Sequence, residues 1–203
     1  HSRNIPNTGF GMLLVDARNA FQEKKRYLML WQAYYRWHRG SRFAFNVYRH
    51  FIIVYVRARP GQPAYEVLSE EGCAQGDPFA MVLYGIGLLP LIEKLHTAVP
   101  DVLSPWYADD GASVGWAKSN AERLAFLVME GPRYGYYPEP ENSHYICKGE
   151  DEAVAREAFA AKGLIINFSH GQRHLGSFLR SGELLADRRE CRSALPAVGL
   201  YCR

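Results

Sequence analysis

The chain has 203 residues, 48% of them apolar and 13% aromatic, enough to enclose a real hydrophobic core. Its formal net charge of +3 suits a polyanionic partner without requiring one. The longest apolar run, Phe79 to Ile92, is shorter than the about 20 residues that span a bilayer, no signal-peptide pattern is found, and the four cysteines form no Cys-x-x-Cys pair. Membrane insertion, secretion, a zinc module and a disulfide framework are therefore not expected.

The elements follow in chain order. Phe10 to Val15 is a continuous apolar run ending at Asp16, which reads as a buried strand delivering a carboxylate at its end. From Lys24 to His38, Tyr27, Leu28, Leu30, Trp31, Tyr34, Tyr35 and Trp37 recur at helical spacing, a stripe expected to pack, with Gly40 as a stop. A second helix is expected from an N-cap at Ser41, then a β-branched strand from Ile52 to Val56 and a turn at residues 59–62. Asp77 and Pro78 read as the N-cap and first residue of the apolar helix, which Pro100 follows. Val102 to Ala108 and Ala112 to Trp116 read as hairpin arms around Asp109-Asp110-Gly111, with Gly111 supplying the unusual backbone.

Ser119 and Glu122 form a capping-box pattern for a helix running to Gly131-Pro132. A Tyr- and Pro-rich loop from Tyr134 to Pro140, a strand at His144 to Cys147, a helix from Asp151 to Lys162 closed by Gly163, and strands at Leu164 to Phe168 and Arg173 to Phe178 complete the pattern. The alternation predicts an α+β fold, an antiparallel sheet with helices packed on one face.

Phosphoryl transfer to a hydroxyl needs carboxylates that hold two metal ions about 3.5 to 4 Å apart. Asp16 and Asp109 could meet only if the strand ending at Asp16 lies beside the hairpin. Taken singly, an Asp-Asp-Gly turn or an Asp at a strand end is an ordinary surface or capping feature; together they suggest a shared site.

The residues 13–21, Leu-Leu-Val-Asp-Ala-Arg-Asn-Ala-Phe, resemble motif A of reverse transcriptases. Gln75-Gly76-Asp77-Pro78 with Met81 resembles motif B, Tyr107-Ala108-Asp109-Asp110 resembles motif C in the form common in retrotransposons, and Arg173-His174-Leu175-Gly176 resembles motif E. The resemblance implies a polymerase palm over residues 1–180 and a tail at 181–203 that would open a thumb. It implies that Asp16 and Asp109, supported by Asp110, bind two Mg2+ ions, with Mn2+ able to substitute. Phe21 would exclude a 2′-hydroxyl, Gln75 and Gly76 would approach the template and incoming base pair, and Tyr107 would line the substrate site. The implied partners are an RNA template, a DNA primer or RNA–DNA hybrid, and dNTPs; the implied location is intracellular, nuclear or cytoplasmic.

The pattern departs from the family in two places. Motif D ordinarily offers a lysine as general acid, and its position here holds Asn142, with His144 and Lys148 as the nearest substitutes. Only nine residues precede Phe10, whereas the family places fingers before motif A, so weak activity of the isolated chain is expected. The alternative is a truncated, inactive nucleic-acid-binding remnant. An RNA-directed RNA polymerase is disfavoured by the Tyr-Ala-Asp-Asp form and by Phe21.

Overall fold

The computed structural model describes residues 9–74, 76–175 and 177–181. In chain order the elements are β1 (Phe10–Val15), a one-turn helix α1 (Ala20–Glu23), α2 (Arg26–Arg36), α3 (His38–Tyr48), β2 (Ile52–Val56), β3 (Tyr65–Ser69), α4 (Ala80–Ala98), β4 (Trp106–Tyr107), β5 (Asp110–Trp116), α5 (Ala117–Glu130), β6 (His144–Cys147), α6 (Glu152–Ala160), β7 (Asn167–Ser169), β8 (Gly171–His174) and β9 (Ser177–Arg180). No described helix is long and apolar enough to cross a membrane.

The fold is α+β. Its main sheet has the strand order β4-β5-β1-β6-β7 and is antiparallel except for the β6–β7 pair. β1 is central, flanked by β5 and β6, which explains its unbroken apolar sequence. Leu13 and Val15 face the main core with Leu83 and Leu88 of α4, Leu124 and Leu127 of α5, and Phe159 of α6. Met12 and Leu14 face the other side, in a smaller cluster with Ala112 and Ile146 against which Leu179 of β9 packs. Helices thus cover one face of the sheet. Pro90 does not interrupt α4, because burial of Leu83, Leu88, Leu91 and Leu95 outweighs one lost backbone hydrogen bond.

Several local expectations are corrected. The aromatic stripe of α2 is not core: Tyr27, Trp31, Tyr34 and Tyr35 are more than half exposed, and the buried residues are Arg26, Met29 and Ala33. Gly40 stops nothing; it is buried inside α3, where a Cβ would collide with the Trp37 ring. α3 starts at His38, and Ser41 bonds back to the His38 carbonyl at 2.9 Å instead of capping. The capping box at Ser119 and Glu122 is not made, since α5 begins at Ala117 and Glu122 lies 3.8 Å from Lys162. Residues 173–178 do not form one strand: Arg173 and His174 end β8, Ser177 and Phe178 open β9, and the two ends pair with each other. β3 was not legible beforehand; it pairs with β2, and the hairpin leaves much of its apolar surface exposed.

The α1–α2 junction is tied to distant loops by Arg26. Its buried guanidinium donates to the carbonyls of Gly72 (3.0 Å), His50 (3.1 Å), Ser69 (2.9 Å) and Glu71 (2.7 Å). Its backbone N–H donates to the Glu71 carboxylate at 2.7 Å.

Candidate carboxylate site

Asp16 follows β1 directly. Its N–H donates to Ser143 Oγ at 3.2 Å, and its carbonyl accepts from the Glu139 N–H at 2.9 Å. Ala17 bridges to Pro138, and the Arg18 N–H donates to the Tyr137 carbonyl at 3.0 Å. The segment that carries the motif D position therefore straps the end of β1.

The register pairs Val15 with Gly111, and across the next pair of strands Tyr107 with Asp110, so β5 brings the acids to the end of β1. The hairpin differs from its sequence-based description. Its turn is the two residues Ala108 and Asp109, Asp110 already belongs to β5, and the first arm is only Trp106–Tyr107. Ala108, at φ 52°, supplies the left-handed backbone expected of Gly111. Gly111 is needed for a different reason: a Cβ there would meet the Trp106 ring at 3.0 Å.

The charge of Asp109 reaches the Asp16 carboxyl. Partial burial raises the Asp16 carboxyl above its ordinary range, and Glu139 and Asp109 raise it further, against a backbone hydrogen bond from Ala17 and the nearby His144. Partial burial, then the Asp110 charge, raises Asp109. Two acids held in this way disfavour their own negative charge, the condition that a bound cation reverses. The donors are all oxygen, the set that hard cations such as magnesium take, and magnesium is commonly held by one or two carboxylates with substrate phosphates completing its shell. The residues fit such an ion in that sense. Among the described residues no three His, Cys, Asp or Glu side chains form a ready-made cage.

Aromatic rings lie under the acids. The fully buried Tyr136 donates its hydroxyl to the Asp109 carbonyl at 3.3 Å and packs edge-on against Trp106. Tyr84 is also fully buried, its hydroxyl without a hydrogen-bond partner among the described residues, and it stacks on the half-buried Phe21 with centroids 4.7 Å apart. Tyr107 is exposed beside Asp110. Gly76, at φ 93°, has nothing within 4 Å of where a Cβ would stand, and its backbone lies open. Asp77 accepts the Phe79 N–H at 2.9 Å and a hydrogen bond from the Tyr48 hydroxyl, but α4 starts only at Ala80 with Phe79 at its N-cap and no capping side chain, so Asp77 and Pro78 hold the preceding turn and are not the cap and first residue of the helix. Gln75, Gly176 and residues 182–203 lie outside the described residues, so Gln75, the last motif E position and nearly all of the expected tail have no structural account.

At the motif D position Asn142 is exposed and donates to Glu139 Oε2 at 2.7 Å. His144 lies on β6 opposite Leu14, its Nδ1 buried without a hydrogen-bond partner among the described residues, and Lys148 is 3.6 Å from Glu150. Sequence reasoning searched residues 135–143 for a lysine and passed over Glu139, whose charge acts on Asp16; no residue pattern marked it.

Lys24 was also missed. It is fully buried, donating to the Tyr134 carbonyl at 2.9 Å beside the Tyr84 ring, and burial lowers its pKa to about 7. Below about pH 7 Lys24 is charged in both the folded and unfolded chain. Between about pH 7 and its ordinary value only the unfolded chain keeps the proton, so stability rises with pH there. Relative to Lys24→Met, the native chain should gain about 2 kcal/mol in urea unfolding between about pH 7 and pH 9.5. Parallel stabilities at the two pH values would refute the assignment.

No family model matches the chain, and no curated protein matches it. Among solved structures it is similar to apo telomerase from Candida tropicalis, truncated from its C-terminal domain, at 13% identity and a TM-score of 0.49. That match takes in 84% of this chain and 34% of the telomerase chain, so the chain spans about a third of that protein's length.

Proposed function

We propose that this chain is the palm of an RNA-directed DNA polymerase of a retroelement, which adds dNTPs to a primer 3′-hydroxyl. One observation carries the reading: Asp16 and Asp109, nearly a hundred residues apart in sequence, lie at the joined ends of paired strands close enough for their charges to interact. Asp16 and Asp109, with Asp110 beside them, would hold two Mg2+ ions, or Mn2+ in their place, which supply activation of the 3′-hydroxyl and stabilisation of the departing pyrophosphate. The strap through Glu139 and Ser143 fixes Asp16 in direction, and the Tyr136 hydroxyl fixes the backbone at Asp109. Such prior ordering keeps reorganisation out of the reaction step.

Phe21, stacked on Tyr84, would present its ring to the sugar, where a 2′-hydroxyl would clash. Gly76 would offer its uncovered backbone to the base pair, and the exposed Tyr107 would line the substrate side; the resemblance assigns Gln75 to the same side. Phe21→Ala should relax selection against ribonucleotides by about tenfold or more, read as the ratio of single-nucleotide incorporation rates. Unchanged selection would make Phe21 a packing residue only.

The deciding experiment is primer extension on an RNA template with deoxynucleotides and magnesium. Metal-dependent extension supports the proposal; its absence in a chain supplied with fingers and thumb would overturn it. A second reading, an inactive remnant that binds nucleic acid, draws on Asn142, whose amide cannot act as a general acid and is occupied with Glu139. The same assay separates the two.

A further inference from the structure

Charge is segregated along this chain. Residues 24–65 contain nine of its 24 Lys and Arg and no Asp or Glu, whereas the remaining 15 Lys and Arg stand against all 21 acids. The segment folds into α2, α3 and most of the β2–β3 hairpin, elements separate from the acid-bearing β4–β5 hairpin.

Helical geometry orders these charges. The buried side of α3 is Gly40, Ala44 and Tyr48, at spacings of four. Arg39, Arg42 and Arg49 recur at spacings of three and seven, which at 100° per residue places them on the opposite side, and all three are exposed. Arg39 and Arg42 have no carboxylate at ion-pair distance among the described residues, whereas Arg36 is held by Glu93 at 2.7 Å.

On α2 the pattern is aromatic. Tyr27, Trp31, Tyr34 and Tyr35 lie opposite the buried Arg26, Met29 and Ala33. Their rings form a chain: Trp31 to Tyr35 at 5.0 Å, Tyr35 to Tyr34 at 5.2 Å, and Tyr34 to His38, the first residue of α3, at 5.6 Å. The aromatic side therefore runs up to the basic helix. Aromatic rings interleaved with unpaired arginines are what holds an unpaired nucleic-acid strand, the rings stacking on bases and the arginines meeting phosphates.

We propose that the outward faces of α2 and α3 form a docking platform for an unpaired RNA strand, outside the carboxylate site, with Trp31 and Tyr35 under the bases and Arg39, Arg42 and Arg49 on the phosphates. The choice of RNA rests on the polymerase reading, in which the template is RNA; the platform itself does not. A second copy of the chain is a poor occupant, because it would bring two acid-free basic surfaces together. A duplex is disfavoured because its bases are not available for stacking.

The test is fluorescence anisotropy of a labelled, unstructured single-stranded RNA with the full chain, in EDTA so that no cation at the carboxylates is needed. Two variants on solvent-facing sides keep the fold, checked by circular dichroism: Arg39→Glu/Arg42→Glu/Arg49→Glu and Trp31→Ala/Tyr35→Ala. Each should weaken binding at least tenfold. The arginine variant should also flatten the plot of log affinity against log salt by about 2, at about 0.7 for each phosphate contact on a single strand, and the aromatic variant should leave that slope unchanged. Native-like binding by the arginine variant, duplex RNA binding as tightly as the single strand, or a dimer that Trp31→Ala/Tyr35→Ala dissolves would overturn the proposal. A native chain that binds RNA through this face yet extends no primer even when supplied with fingers and thumb leaves the platform standing and removes the polymerase reading. Extension without loss of binding in either variant does the reverse.

Discussion

Asp109→Asn should reduce primer extension by about a thousandfold or more while leaving the unfolding midpoint near that of the native chain. Activity falls because the carboxylate that shares its field with Asp16 is removed, leaving the proposed ions one charged ligand fewer. Stability holds because the Asp109 carboxylate bonds only within its own residue, to the Asp109 backbone, a bond that an asparagine oxygen can also accept, while Tyr136 bonds the Asp109 carbonyl and Tyr107 pairs with Asp110. Removing a carboxyl that burial holds above its ordinary range relieves a small strain in the fold. Extension at the native rate, measured beside circular dichroism to show an intact fold, would remove Asp109 from the site.

The largest loss of stability is expected at Arg26. Arg26→Met keeps the length and apolar stem of the side chain but strips hydrogen bonds from the carbonyls of Gly72, His50, Ser69 and Glu71. A buried carbonyl left without a donor costs about 1 to 3 kcal/mol, and the loops can recover part of this by turning to water. A net loss of about 3 to 5 kcal/mol is expected, in the range found when one member of a buried charged network is removed. The check is the urea midpoint at constant slope. A shift below about 1 kcal/mol would mean that these loops hold their places without the guanidinium.

Much of the sheet was legible because its strands are short apolar runs that end in turn residues. β1, β2 and β6 fall where the sequence placed them, and Gly163 closes the turn after α6. The carboxylate pairing was legible only as a condition, since nothing local to Asp16 or Asp109 says that β1 and β5 are neighbours. What misled was helical periodicity, which separates two faces but does not say which one is buried. On α2 the large rings were assigned to the core, whereas the small Ala33 and the unbranched Met29 take that side and α4 packs against it. Gly40 misled in a similar way: its service is space for the Trp37 ring. Arg26, Lys24 and Glu139 act through backbone carbonyls or through charge across long sequence separations, and no spacing rule marks such residues.

The position of β1 has a consequence for biosynthesis. Its ladder partners lie far downstream, and the hydrogen bond from Asp16 to Ser143 closes across 127 residues. At about 5 to 20 residues per second, a ribosome leaves this strand, apolar on both sides, waiting roughly ten seconds for its second neighbour. Both of its edges are bare until β5 is made and one stays bare until β6 follows, and a bare edge can template pairing with another nascent chain. The strand that carries the first aspartate is thus the segment most dependent on chaperones, and mutations that delay β5 or β6 should appear first as lost yield.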